Sequence, residues 1–175
     1  YYGLIYLRVG QWKNKKLPSK EAVRDEDLPS VSVVMVAHNE GSYLRDNLVY
    51  LLEQDYPNYE VIVVDYLSTD DTAFVLQVCG ANYSKLKAIP FKDDINFFSG
   101  KKYPLSIGIR SAKNDVVLLT EPDSVPKGFD WIRTMMTGYM RNADIVMGYS
   151  GLKQEKGLLN ALMQYDNLTT QSHAF

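Results

Sequence analysis

Cysteine occurs once in the 175 residues, at Cys79, so no internal disulfide is available, and its apolar helical surroundings make it a core cysteine of a reducing compartment. The two histidines, His38 and His173, are far apart in the chain, and neither has a neighbouring His to share a metal; His38 is read as orienting its loop. The net charge is -2 and no block of Lys or Arg is long enough to form a polybasic arm, which excludes a nucleic-acid partner. No G-x-G-x-x-G follows any candidate strand, which removes a dinucleotide-binding dehydrogenase. Internal repeats and low-complexity tracts are absent as well.

What is present is enough for one sizeable core: 46% of residues are hydrophobic and 23% charged. The opening "YYGLIYLRVGQW" is aromatic and apolar, and "KNKK" follows it. A bilayer helix needs about 20 apolar residues, so this stretch does not span alone. It reads either as the stub of a membrane helix, whose Tyr, Trp and Lys mark the cytoplasmic edge, or as an ordinary packed or frayed N-terminal helix. Residues 13 to 29 are polar with prolines near both ends and read as a linker. The expected division is therefore a membrane-proximal stub and linker over 1–28 and a folded domain over 29–175. Attachment at the inner face of the cell membrane is the expected location.

From Val31 the pattern alternates. "VSVVMVA" is a near-continuous β-branched run, expected of a strand covered on both faces. Leu44, Leu48, Leu51 and Leu52 then form one helical stripe. Val61 to Asp65 is a second strand, and "STDDTAFVLQVC" a second helix with Ser68, Thr69 or Asp70 as its N-cap. Further strands are expected at Leu86 to Ile89, Val116 to Thr120 and Ile145 to Gly148. Helices are expected at Tyr103 to Ala112, Gly128 to Arg141 and Glu155 to Leu168, with Trp131 and Met135 packing into the core. Alternating β and α elements imply an α/β fold, a mostly parallel sheet with helices on both faces.

In such sheets ligands bind beyond the carboxyl ends of the strands. The first strand ends in Ala37-His38-Asn39-Glu40, the second in Asp65-Tyr66-Leu67-Ser68-Thr69-Asp70-Asp71, and a later one in Glu121-Pro122-Asp123. Each group also suits helix capping and the helix dipole; together they place several acids on one edge. A phosphoacceptor receiver domain also uses strand-end acids, but it needs paired acids after its first strand, and this one ends in AHNE.

The segment "PSVSVVMVAHNEGSYLRDNLVYLLEQDYPNYEVIVVDYLSTDDT" resembles the opening of the family 2 glycosyltransferases, with their A-x-N-E, Q-D-Y-P, E-V-I-V-V-D-D and S-T-D motifs. "GKKYPLSIGIRSAKNDVVLLTEPDSVP" is similar to the family's later segment, a Lys-containing helix before a strand ending in D-x-D. The similarity runs from about Pro29 to Leu168. It implies a Rossmann-like GT-A fold and transfer of a sugar from a UDP- or GDP-sugar to an acceptor hydroxyl. Such transfer is inverting and metal-dependent, and serves polysaccharide or glycolipid synthesis.

By that resemblance Ala37, Asn39, Glu40, Asp65, Tyr66, Lys102 and Glu121 line the nucleotide, and Asp123 with Glu121 holds a divalent cation, Mn2+ or Mg2+. Lys101 and Lys102 both precede the helix, where a lysine pairs with diphosphate as a point charge. A cation there neutralises the departing diphosphate as a Lewis acid. Two positions depart from the family pattern: Tyr66 stands for the second Asp of D-D, and Glu-Pro-Asp for D-x-D. A tyrosine stacks on a base or donates a hydrogen bond, but does not reproduce an acceptor-only carboxylate. The family's general base comes well downstream of D-x-D, so the acceptor half and its base are expected outside this chain; neither Asp144 nor Asp166 fits that role. The alternative expectation is an inactive nucleotide-sugar binding or regulatory module.

Overall fold

The structure is a computed structural model, and it describes residues 24–91, 100–139, 144–148, 151 and 156–172. The expected membrane-proximal stub lies outside the described residues. Residues 24–145 form one compact unit, and residues from Val146 onward belong to a second. Among the described residues no helix is long and apolar enough to cross a membrane.

Four strands, β1 (Val31–Ala37), β2 (Tyr59–Tyr66), β3 (Leu86–Phe91) and β4 (Val116–Leu119), pair in the order β3-β2-β1-β4, all parallel. Between and after them lie α1 (Gly41–Leu52), α2 (Thr72–Asn82), α3 (Lys102–Arg110) and α4 (Trp131–Tyr139), with α5 (Leu158–Ser172) in the second unit. The two central strands are buried along nearly their whole length because both faces are covered, which is why β1 is a run of valines without polar alternation.

Right-handed crossovers decide which helix covers which face. From β1 through β3 the chain moves one way across the sheet, so α1 and α2 share a face. It then returns past β1 to β4, which puts α3 on the other. Gly108 of α3 shows how close that packing is: a Cβ there would meet Val34 Cγ1 at 2.6 Å and Val64 Cγ2 at 3.1 Å. On α1 the leucine stripe is buried as expected, Leu44, Leu48, Leu51 and Leu52 being 3% exposed or less. Burying each such side chain contributes about 1.5–3 kcal/mol.

The Gln54-Asp55-Tyr56-Pro57 turn fastens three elements. Gln54 Nε2 donates to Tyr50 O at 2.7 Å and Gly128 O at 3.0 Å, while its Oε1 accepts from Ile132 N–H at 3.0 Å. Asp55 N–H donates to Phe129 O at 2.6 Å. The start of α4 is thus tied to the end of α1. Tyr56 donates to Pro29 O at 2.5 Å, and Leu28 is buried, so the approach to β1 is fixed on the domain.

Three expectations need correction. Residues 145–148 form no strand: Ile145 is 81% exposed and, among the described residues, no strand pairs with it. On α4 the fully buried pair is Ile132 and Met136, with Trp131 and Met135 half-buried beside it; the helix start is held by the Ile132 N–H bond to Gln54. The boundary residue before α2 is Asp71, one beyond the three candidates, but its side chain makes no capping bond, and the candidate Asp70 accepts from Thr72 N–H at 3.0 Å. Cys79 is half-buried, and burial raises its thiol pKa.

Candidate functional site

The sheet reverses its winding between β1 and β4. There the loop after β1 leaves toward the α1 face, while β4 is reached from α3 on the opposite face. That crevice at the carboxyl edge is where such sheets bind ligands, and the strand-end polar residues gather around it.

Two loops are first laced together. Asn39, at φ 56°, is in the left-handed region that Asn tolerates better than most residues. Its Oδ1 accepts from Thr69 N–H at 2.8 Å, Asp70 N–H at 3.3 Å and Thr69 Oγ1 at 3.3 Å, and its own N–H donates to Ser68 Oγ at 3.0 Å. Glu40 N–H donates to Thr72 Oγ1 at 3.1 Å and Gly41 N–H to Asp70 Oδ2 at 3.1 Å. Gly41 has no room for a Cβ, which would run into Asp71 Oδ1 and come within 2.9 Å of Thr72 N. Asp70 also accepts from Thr72 Oγ1 at 2.5 Å and Thr72 N–H at 3.0 Å, and the Thr72 hydroxyl above all holds its carboxyl below the usual range. The S-T-D segment is therefore a clasp for the A-x-N-E loop.

Against this clasp sits a charged cluster. Lys101, the residue before α3, donates to Glu121 Oε2 at 2.9 Å and reaches Glu40 Oε1 at 3.4 Å. Glu40 Oε2 accepts from His38 N–H at 3.2 Å, so the Glu40 carboxylate is fixed from both sides. Burial alone lowers the Lys101 ammonium pKa, but its bond to Glu121 and the charges of Glu121 and Glu40 together raise it above the ordinary value. Residues 121–124 form a turn closed by Ser124 N–H on Glu121 O at 3.1 Å. Pro122 is buried inside it and accepts from Asn47 Nδ2 at 3.0 Å; proline suits the second position of such a turn. Asp123 is exposed, and its Oδ1 takes only a 3.3 Å bond from Ser124 Oγ.

At β2 the register aligns Ala37 with Asp65, and Asp65 with Pro90. Asp65 is 8% exposed, and among the described residues its Oδ1 has no hydrogen-bond partner. A buried acceptor left unpaired costs about 1–3 kcal/mol, so this one is set for a donor. Tyr66 points to the opposite face, between the His38 ring at 5.9 Å and the Phe91 ring at 5.8 Å.

Residues 32–170 match the family model for glycosyl transferase family 2. This chain belongs to that family. Among relatives of this glycosyltransferase domain, the probable glycosyltransferase YdaM of Bacillus subtilis is 31% identical over 104 residues, covering 58% of this chain and 24% of that protein. The poly-beta-1,6-N-acetyl-D-glucosamine synthase of Staphylococcus epidermidis is 28% identical over 101 residues, covering 57% and 23%. The chain thus spans about a quarter of the length of these two relatives. Of solved structures, the mannosyltransferase PcManGT of Pyrobaculum calidifontis, in complex with GDP-Man and Mn2+, aligns with TM-score 0.63 at 26% identity, over 94% of this chain and 45% of that one. S. aureus TarS in complex with UDP-GlcNAc aligns with TM-score 0.61 at 20% identity, over 73% and 36%, a likeness of fold alone. The α/β GT-A sheet expected from the sequence is the fold of this family 2 domain.

Within the family 2 domain, the expected nucleotide residues divide by what they touch. Ala37 is fully buried as a whole residue, backbone included, so it shapes the strand end and offers no exposed atom. The Asn39 side-chain oxygen is engaged by the neighbouring loop, so Asn39 shapes the site instead of offering that atom to it. Glu40 and Glu121 come together through Lys101, the lysine beside the assigned Lys102; Lys102 itself is exposed. Asp70 was visible only as a cap and Thr72 was not singled out, although both are bonded to the β1 loop.

Proposed function

We propose that this domain binds the donor of a glycosyl transfer, a UDP- or GDP-sugar, at the carboxyl edge between β1 and β4. The observation that carries the reading is the Glu40–Lys101–Glu121 cluster beside the exposed Asp123, a cation among carboxylates at the sheet's switch point. Lys101 exchanges a carboxylate for a diphosphate oxygen when the donor enters, since an ammonium serves either as a point charge. Asp65 accepts from a base or ribose donor through its Oδ1, which is unpartnered among the described residues. Glu40 and Tyr66 line the nucleoside, Asn39 and the buried Ala37 hold their loop, and Lys102 lies next to the phosphate side.

The donor set suits a hard divalent ion. Among the described residues no group of three or more His, Cys, Asp or Glu side chains is placed to hold a metal. Asp123 and Glu121 would therefore hold Mn2+ or Mg2+ with most of the coordination shell completed by diphosphate and water, as these ions prefer. When bound, the cation supplies Lewis-acid neutralisation of the leaving diphosphate. Transfer to an acceptor hydroxyl, with a base from outside these residues, is proposed for the longer protein, together with attachment at the inner membrane face through the aromatic and basic first residues.

The test is calorimetric titration of the chain with UDP and GDP, with and without Mn2+, followed by an assay for sugar transfer with the longer protein. Metal-enhanced binding and transfer support the enzyme reading. Binding with no transfer in the longer protein supports the binding module instead, and absence of binding overturns both.

A further inference from the structure

Asn47 is out of place in its helix. It stands in α1 between Leu44, Leu48 and Leu51, all buried, and is itself half-buried. Its spacing from Leu44 and Leu51, three residues and four, puts it on the face those leucines form. Asparagine is a weaker helix former than leucine, and an amide among apolar neighbours is unfavourable unless it is hydrogen-bonded. What Asn47 supplies is a bond that leucine cannot make: its Nδ2 donates to Pro122 O at 3.0 Å, 75 residues further on.

That carbonyl belongs to the central peptide of the 121–124 turn, the one between Pro122 and Asp123. With proline at the second position, two orientations of this peptide close such a turn: type I, with the third residue at a φ of about −90°, and type II, with that residue at positive φ. Asp123 is not among the residues at positive φ, so the turn has the type I orientation. Both are open to an aspartate, which enters the left-handed region more readily than most residues. A flip to type II turns Pro122 O away from Asn47 and re-aims the Asp123 side chain. Glu121 is tied separately, to Lys101 Nζ at 2.9 Å, whereas the Asp123 carboxylate takes a 3.3 Å bond from Ser124 inside the same turn. The direction of Asp123 therefore depends on the peptide that carries it.

We infer that Asn47 is a positioning residue for the divalent cation: by latching the Pro122–Asp123 peptide in one orientation, it sets the direction of the Asp123 carboxylate before a cation arrives. The inference rests on the donor-site reading above for what Asp123 meets, while the latch itself is a property of the unliganded chain. Because α1 begins directly after Glu40, one rigid element fixes both the A-x-N-E loop and the turn after β4. Proline suits this arrangement, since it narrows the turn to these two orientations and offers a carbonyl but no N–H.

The experiment compares the unaltered 175-residue chain with Asn47→Leu and Asn47→Met, which remove the amide and are better helix formers. NMR of the metal-free proteins reads the turn, because the Pro122 Hα lies far from the Asp123 N–H in type I and close to it in type II. Titration with UDP and GDP, with and without Mn2+, reads the site, and urea unfolding reads stability. Expected are a single type I turn in the unaltered chain and mixed orientations with faster Ser124 N–H exchange in the variants. Metal-free affinity should stay unchanged, and the Mn2+ enhancement should fall about fivefold in the variants, what one ordinary hydrogen bond is worth. Variants with a lowered unfolding midpoint but the full Mn2+ enhancement would assign Asn47 to packing alone and overturn the inference. So would an unaltered chain that already samples both orientations, a result that needs no variant to fold. An unaltered chain that binds UDP and GDP without Mn2+ enhancement removes the cation and the inference but leaves the nucleotide site; one that binds neither overturns the donor-site reading itself.

Discussion

Lys101 Nζ lies 2.9 Å from Glu121 Oε2, joining the start of α3 to the turn after β4 across the edge of the sheet. The pair is partly exposed, and such pairs contribute little to stability, about 0–1 kcal/mol. Its importance is for binding. Replacing Lys101 by Met is expected to leave the unfolding midpoint nearly unchanged and to lower nucleoside diphosphate affinity about tenfold, a typical loss for one charged hydrogen bond. Titration calorimetry reads the second quantity and urea unfolding the first. A large loss of stability with unchanged affinity would contradict the assignment.

Asn39 is expected to matter for the loop more than for the ligand. Asn39→Ala removes the acceptor of three donors and puts a Cβ-bearing residue without a local hydrogen bond at φ 56°, at a cost of about 1–3 kcal/mol. Asn39→Gly loses the same bonds but relieves the backbone, so it should be the less destabilised of the two in urea unfolding. The reverse order would show that the loop is not held as described.

How much of this was legible in the sequence varied with the range of the interaction. The β1 run and the α1 leucine stripe could be read directly, because their periods follow from strand and helix geometry, and the strand-end acids followed from the parallel order. The Asn39–Ser68–Thr69–Asp70 clasp was not legible: its residues are ordinary caps, and only the β1–β2 register brings them together. The seating of α4 includes a contact from Gln54, which lies 78 residues from Ile132, and no local pattern reveals it. The expected strand at 145–148 had the right composition, but composition does not supply a neighbouring strand.

Gln54 is 5% exposed and uses both ends of its amide. Gln54→Ala leaves Ile132 N–H and Gly128 O without their partner and is expected to cost about 2–3 kcal/mol in chemical unfolding, the penalty for unsatisfied buried groups. Because the bonded groups lie on α4 and its approach, hydrogen exchange should rise first in residues 131–139. A uniform rise across the sheet would contradict the docking role.

Burial pushes the Tyr56 phenol up to about 12, with nearby Arg133 pulling slightly the other way. A raised folded value means that the contribution to stability is complete below the ordinary value of 10.0 and is lost as pH rises from there toward 12. Stability is therefore expected to fall across that alkaline window, and Tyr56→Phe should flatten the decline. Absorbance at 295 nm in the folded protein should show the Tyr56 phenol, together with Tyr59 and Tyr83, whose values are also raised, ionising later than the other tyrosines. An early, simultaneous titration of all tyrosines would show that Tyr56 is not shielded.

The central claim is that Asp123, exposed at the mouth of the sheet, helps hold a divalent ion against the donor diphosphate. The most direct measurement compares GDP and UDP binding with and without Mn2+ in the unaltered chain and in Asp123→Asn. The account predicts that Mn2+ strengthens binding in the former and that this enhancement disappears in the latter, with metal-free binding and folding unchanged. An enhancement that survives intact in Asp123→Asn would contradict it.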